Sequence, residues 1–164
     1  MDFEIREGRD GDAWDLVGLV AECWAEYPGC VMDVHGEVPE LLAIDTYFRA
    51  HDGRVWVAEL DGRLAGSVGI QAAAEASTRM LTKLYVAHRA RRRGLGRRLV
   101  ALVEEEATAR GAAVIELWTD TRFTDAHALY AACGFERTGE TRELHDLSGT
   151  VEYHFRKTLA AAPG

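Results

Sequence analysis

The chain has 164 residues, 48% of them hydrophobic, and a formal net charge of −8 from 27 acidic and 19 basic side chains. That length and apolar content suffice for one well-buried core, so a single domain over residues 1–164 is expected. The acidic balance argues against a nucleic-acid partner, and no apolar run reaches the ~20 residues of a membrane span.

Met1-Asp2-Phe3-Glu4 lacks the basic and apolar regions of an export signal, which predicts a cytoplasmic protein. Cys23, Cys30 and Cys133 are odd in number and lack metal-ligand spacing, as reduced thiols would. Cys23 and Cys133 read as small buried hydrophobes, Cys30 as a loop thiol open to solvent, and no metal site is expected.

In chain order, Phe3-Glu4-Ile5-Arg6 is a short alternating strand. Trp14, Val17, Val20 and Trp24 fall on one helical face after Asp10 or Asp12 as N-cap, and Tyr27-Pro28-Gly29 stops that helix. Leu41, Leu42, Asp45 and Phe48 predict a shorter helix after Pro39. Residues 55–60 and 64–70 read as strands joined by Asp61-Gly62, a hairpin turn, and a second turn near 74–77 leads into the strand 80–86. A helix follows, with Leu95, Leu99, Leu102 and Val103 at helical spacing up to Gly111. Ala113–Thr119 is a buried strand, Ala126–Ala132 a helix with Gly134 as a left-handed C-cap, and two strands near 135–143 and 150–157 finish the chain. The pattern is a mixed α/β fold.

The junction before the long helix carries the chemistry. Arg91-Arg92-Arg93-Gly94-Leu95-Gly96 joins a strand to a helix, and its glycines let the backbone turn sharply and approach a ligand. The free N–H groups of the first helical turn then favour an anion, and the arginines match phosphate. Arg89, Arg91, Arg92, Arg93, Arg97 and Arg98 form a local basic spot on an acidic body. With no aromatic interleaving, it suits a small phosphorylated ligand better than a polyanion. A nucleotide-hydrolysing loop would need Lys-Ser/Thr after the last glycine, where Arg97-Arg98 stand; a dinucleotide fingerprint would need glycine in place of Leu99, although Glu116 lies at the distance of its ribose-binding acid.

The hexapeptide resembles the Arg/Gln-x-x-Gly-x-Gly/Ala acetyl-CoA motif of the GCN5-related N-acetyltransferases, GNAT. Ala126-His127-Ala128-Leu129-Tyr130-Ala131-Ala132-Cys133-Gly134-Phe135 is similar to that superfamily's Ala-x-x-Leu-Tyr-x-x-x-Gly-Phe signature. The resemblance runs from about Phe3 to Leu159. It implies a central, mostly antiparallel sheet with helices on both faces, and direct acetyl transfer from acetyl-CoA to a primary amine through a ternary complex. It further implies that the strand before the cradle splays from its neighbour to admit the pantetheine arm.

By that resemblance, Arg91, Arg92, Arg93, Gly94, Leu95, Gly96 and Arg97 hold the pyrophosphate, and backbone groups of Leu84, Tyr85 and Val86 hold the pantetheine arm. Relatives commonly place asparagine where Phe123 stands here; Thr124 is expected to cap the helix in its stead. Tyr130, protonated at neutral pH, is the expected proton donor to the departing thiolate. For the base, Glu116 leads on the strand after the cradle, sharing a face with Trp118; His145 and His154 in the last hairpin also titrate usefully, while His127 is expected to face solvent. Asp33, His35 and Glu37, with Glu116, Asp146 and Glu152, would make an acidic pocket for a small amine. A non-catalytic acyl-CoA-binding or sensing module on the same fold is the alternative. Trp14, Trp24 or the C-terminal strands leave monomer and homodimer both open.

Overall fold

The computed structural model describes residues 3–160. Seven strands, β1 (Glu4–Glu7), β2 (Arg54–Leu60), β3 (Arg63–Ala72), β4 (Thr78–Val86), β5 (Val114–Asp120), β6 (Glu136–Glu143) and β7 (Val151–Thr158), form one sheet in the order β1-β2-β3-β4-β5-β7-β6. All neighbours are antiparallel except β4 and β5. The helices are α1 (Ala13–Trp24), the single turn α2 (Val34–Glu37), α3 (Ile44–Ala50), α4 (Leu95–Ala109) and α5 (Thr124–Ala132).

Strand alternation sorts the core into two layers. Trp56, Ala58 and Leu60 of β2 point to the face covered by α4 and α5, where Leu95, Leu99, Val103 and Tyr130 are buried. Val55 and Val57 point the other way, against Leu16 and Val20 of α1 and Ile44 and Phe48 of α3. Period-2 strands with both faces apolar therefore carry helices on both sides.

Several local expectations hold. Asp61 (φ +54) and Gly62 (φ +75) make the β2–β3 turn, and β6 and β7 form the closing hairpin. Others are corrected. The buried stripe of α1 is Leu16, Leu19, Val20 and Cys23, while Trp14 is 69% exposed: apolar residues stand on adjoining faces, and packing selects a stripe rotated from the predicted one. Neither Asp10 nor Asp12 caps α1 with its side chain. Asp12 accepts from Arg6 (2.8 and 3.0 Å) and from the Arg9 N–H (2.9 Å), and Asp10 accepts from Thr46 (2.6 and 3.0 Å). The stretch after Pro39 is a 3-10 turn over Pro39–Ala43 running into α3. All three cysteines are free; Cys23 is buried, whereas Cys133 and Cys30 are both half-buried.

Two features open the sheet's centre. Pairing of β4 with β5 is confined to Thr78–Met80 against Val114–Glu116, and beyond those positions the strands part. Just past the last pair, β4 bulges: Ser67 faces Tyr85 while Gly69 faces Thr82, leaving one extra residue on β4. Lys83 takes φ +56 in the bulge, and the Ser67 hydroxyl donates to its carbonyl at 2.7 Å. The expected splay is present: pairing with β5 stops at Met80, and the bulge follows between Thr82 and Tyr85.

Candidate active site

Two cavities meet where β4 and β5 diverge. One, of about 370 Å³, runs over the α4 N-terminus and α5, between the basic turn and the apolar side chains of Val86 and Leu129. The second, of about 260 Å³, opens on the other side, walled by Trp118, Tyr130, Lys83 and the last hairpin. Leu84, Tyr85 and Phe123 line both. Of the predicted ligand residues, Leu84, Tyr85, Val86, Arg91, Arg92, Gly94, Leu95, Gly96 and Arg97 line the first cavity, whereas Arg93 and Thr124 do not.

The cradle's shape follows from its backbone. Arg92 (φ +61) and Gly94 (φ +81) are both left-handed, and Gly94 is the N-cap of α4 without a side chain to satisfy the first turn. The N–H groups at the start of a fifteen-residue helix are therefore left for an anion, with the helix dipole behind them. That donor set, beside Arg92 and Arg97, fits a pyrophosphate, and the apolar remainder of the cleft fits a pantetheine arm. Gly96 also leaves room for Leu129 of α5, because a β-carbon there would lie 2.8 Å from Leu129 Cδ2. Arg91 is committed elsewhere, donating to the Val86 carbonyl (3.0 Å) and bidentately to Glu26 at the end of α1 (2.6 and 2.7 Å).

Thr124 is not a cap. It is the first residue of α5, Phe123 occupies the N-cap position, and no side chain caps that end. Phe123 packs on Tyr27, ring centroids 4.9 Å apart, and lies in the wall between the cavities.

Tyr130 is buried at 5% exposure, against Phe135 and Phe155, and lines the second cavity. Burial pushes its phenol well above the ordinary range. Tyr85 is raised in the same way, its hydroxyl accepting from Trp24 Nε1 at 3.3 Å.

Glu116 lines neither cavity. It sits at the last joined position of β4 and β5, opposite Met80, and pairs with His154 Nε2 at 3.1 Å. His154 is buried beside Trp118, and its Nδ1 meets Thr138 Oγ1 (2.9 Å) and Glu140 (3.3 Å). Glu116 therefore stands at the edge of the opening with one carboxylate oxygen engaged by His154, which is held there with it. His145 is exposed and 3.9 Å from Glu143. His127 does not face solvent: its Nε2 meets the Asp120 carbonyl at 2.9 Å, its ring lies against Tyr153 and Phe155, and burial lowers its pKa.

Of the predicted acidic pocket, Glu37, Asp146 and Glu152 line the second cavity, and Asp120 joins them; Asp33 and His35 do not. Asp33 instead accepts from the Gly36 N–H, capping α2. Each lining carboxylate has a partner. Asp120 holds Arg122 (2.7 Å), Asp146 takes Thr150 Oγ1 (2.6 Å), Glu152 takes Arg142 Nε (2.7 Å) and Glu37 takes the Leu147 N–H (2.9 Å). Lys83 lies 2.5 Å from Glu40, tying the β4 bulge to the turn before α3. No group of three His, Cys, Asp or Glu side chains among the described residues is arranged to hold a metal, and none of their helices is long and apolar enough to cross a membrane.

A sheet opened between one parallel pair, with a glycine-capped basic helix at the opening, is the architecture of an acyl-CoA transferase fold. A model of the Acetyltransferase (GNAT) family matches residues 16–135, and the chain belongs to that family. Probable N-acetyltransferase camello of Xenopus tropicalis is 30% identical over 130 residues, 75% of this chain and 59% of that protein. N-acetyltransferase family 8 member 3 of Mus musculus is 34% identical over 100 residues, 58% of this chain and 44% of the relative. The chain thus spans well under two thirds of the length of these relatives. Among solved structures, an acetyltransferase of the GNAT family from Staphylococcus aureus Mu50 superposes with a TM-score of 0.82 at 18% identity, covering 97% of this chain and 100% of that one. The PaiA N-acetyltransferase of Thermoplasma acidophilum, in complex with coenzyme A, does so with a TM-score of 0.77, also at 18% identity, over 97% of this chain and 100% of that one. These likenesses show the fold.

Proposed function

We propose that the chain transfers an acetyl group from acetyl-CoA to the primary amine of a small molecule, directly, in a ternary complex. One observation carries this reading: the cleft over the α4 N-terminus and the cavity walled by Tyr130 meet at the opened β4–β5 edge, so two substrates can meet there. A module that only bound or sensed acyl-CoA would need the first cavity alone.

The first-turn N–H groups of α4, with Arg92, Arg97 and the left-handed Gly94, hold the pyrophosphate. Arg91 acts one step back, tying the cradle to α1 through Glu26. In the β4 bulge Lys83 and Leu84 have no register partner on β3; the Lys83 carbonyl is taken by Ser67, and the remaining backbone polar groups serve the pantetheine arm and the thioester carbonyl. When bound, acetyl-CoA supplies the activated acyl carbon. Tyr130 stays protonated through the neutral range and gives its proton to the departing sulfur, regaining one from the acylated nitrogen. Glu116 takes no step in this scheme: it lines neither cavity, and one of its oxygens pairs with His154. On this reading the protein works in the cytoplasm, where acetyl-CoA and reduced thiols coexist, and requires no metal.

Release of the CoA thiol from acetyl-CoA in the presence of primary amines, with mass spectrometry of the acetylated product, tests this reading. Thiol release that depends on the amine supports it; a folded protein that binds acetyl-CoA yet acetylates no amine would return it to the binding module.

A further inference from the structure

Four large apolar side chains are exposed among the described residues: Trp14, Val31 (44%), Leu144 (43%) and Leu147 (69%). Three of them gather at the mouth of the Tyr130 cavity. Leu144 lines it directly; Val31 and Leu147 each adjoin a lining residue, Cys30 and Ser148. The two loops that carry them are tied together across more than a hundred residues of sequence. The Val31 N–H donates to Ser148 Oγ at 2.8 Å, Ser148 Oγ donates back to the Val31 carbonyl at 3.3 Å, and the Leu147 N–H donates to Glu37 at 2.9 Å. Apolar surface scattered singly needs no explanation, but an ordered apolar lip beside a polar cavity marks a contact surface.

Below the lip the balance is acidic. The lining groups and their ion-pair partners comprise five carboxylates (Glu37, Glu40, Asp120, Asp146, Glu152) and three cations (Lys83, Arg122, Arg142). Both lining cations are committed, Lys83 to Glu40 and Arg142 to Glu152 with its guanidinium 4.3 Å over Trp118. Neither is left to receive the carboxylate of an amino acid. Glu152 lines the same cavity as Tyr130; its side chain is 14% exposed, and one oxygen takes Arg142 Nε at 2.7 Å.

Resting on the transfer reading above, we infer that the acceptor is an amphipathic primary monoamine, its ammonium at Glu152 beside Tyr130 and its hydrocarbon or aromatic body on the lip of Val31, Leu144 and Leu147. The bound ammonium gives up one proton to water before the transfer. The neutral nitrogen forms the amide C–N bond as the thioester C–S bond breaks, and its second proton replaces the one Tyr130 gives to sulfur. Amine cation and thioester become amide, free thiol and one released proton.

The test is thiol release by the full chain with acetyl-CoA and, separately, ethylamine, hexylamine, 2-phenylethylamine, spermidine, phenylalanine and a peptide with a free N-terminus. The expected result is a kcat/KM for hexylamine and 2-phenylethylamine roughly 10-fold or more above those for spermidine and phenylalanine, from burial of the apolar body. Leu147→Ser, at an exposed site that does not threaten the fold, should cut the preference for hexylamine over ethylamine by about 5-fold through the KM for hexylamine. Preference for spermidine, phenylalanine or the peptide, or an equal effect of Leu147→Ser on ethylamine and hexylamine, would overturn the inference and leave the transferase reading standing. No thiol release with any amine from protein that binds acetyl-CoA would overturn both.

Discussion

Gly96 in the first turn of α4 lies directly against Leu129 of α5, so close that a β-carbon at residue 96 would stand 2.8 Å from Leu129 Cδ2. The second glycine of the cradle motif therefore leaves room for the Leu129 side chain as well as for the approach of a phosphate. Gly96→Ala should change stability by no more than about 1 kcal/mol, because the movable end of Leu129 can shift and alanine gains about that much over glycine in a helix, and it should weaken acetyl-CoA binding by displacing Leu129 into the cleft. Leu129→Ala makes room for the new methyl, so the double variant should lose less stability than the sum of the two single changes. Urea unfolding of the four proteins measures this; strict additivity would separate Gly96 from Leu129.

Tyr130→Phe keeps the ring that packs on Phe135 and Phe155 and removes only the hydroxyl that faces the acceptor cavity. A fall in kcat of roughly 10²-fold is expected, with the KM for acetyl-CoA nearly unchanged because Tyr130 lies outside the α4 cleft. Full turnover in the variant would remove Tyr130 from the chemistry.

His127 gives a pH prediction. Burial lowers its pKa below the ordinary 6.5, so the unfolded chain binds its proton more readily than the folded one. Its contribution is fully present above about pH 6.5 and is lost as the solution is acidified through that value toward the folded pKa. His127→Gln should flatten the decline in stability between about pH 6.5 and 5, above the range where the lowered carboxylates Asp12 and Asp146 begin to protonate. Thermal unfolding across that interval measures it, and an unchanged slope would assign the decline to other groups.

Arg92 and Arg97 line the cleft, while Arg91 is tied to Glu26. Arg92→Ala and Arg97→Ala should each raise the Kd for acetyl-CoA by about 10-fold at low salt, through lost charge-assisted contacts, and make it less sensitive to ionic strength. Calorimetry at two salt concentrations distinguishes this from an effect on folding.

Much of this is legible in the chain. Strand alternation, the Asp61-Gly62 turn and the two motifs locate every strand, the cradle helix and Tyr130. Patterns within a dozen residues report local structure, and those elements need nothing more. The rest depends on distant partners. Lys83 carries no mark of its left-handed conformation, because the bulge arises from pairing with β3 rather than from residue type. Arg91 reads as a phosphate ligand until Glu26, 65 residues earlier, is seen to hold it. The lip formed by Val31 and Ser148 joins positions 117 residues apart. Glu116 has the strand and the face expected of a base, but only the third dimension reveals His154 occupying it. The α1 stripe is ambiguous in the sequence because apolar residues stand on adjoining faces, and packing makes the choice.

Titration calorimetry of the full chain with acetyl-CoA, beside dephospho-acetyl-CoA and NAD, puts the CoA cleft itself to the test. A CoA cleft at the α4 N-terminus predicts micromolar, one-to-one binding of acetyl-CoA, weaker binding without the 3′-phosphate, and no comparable heat from NAD. A folded protein that takes up NAD, or that gives no heat with acetyl-CoA, would contradict it.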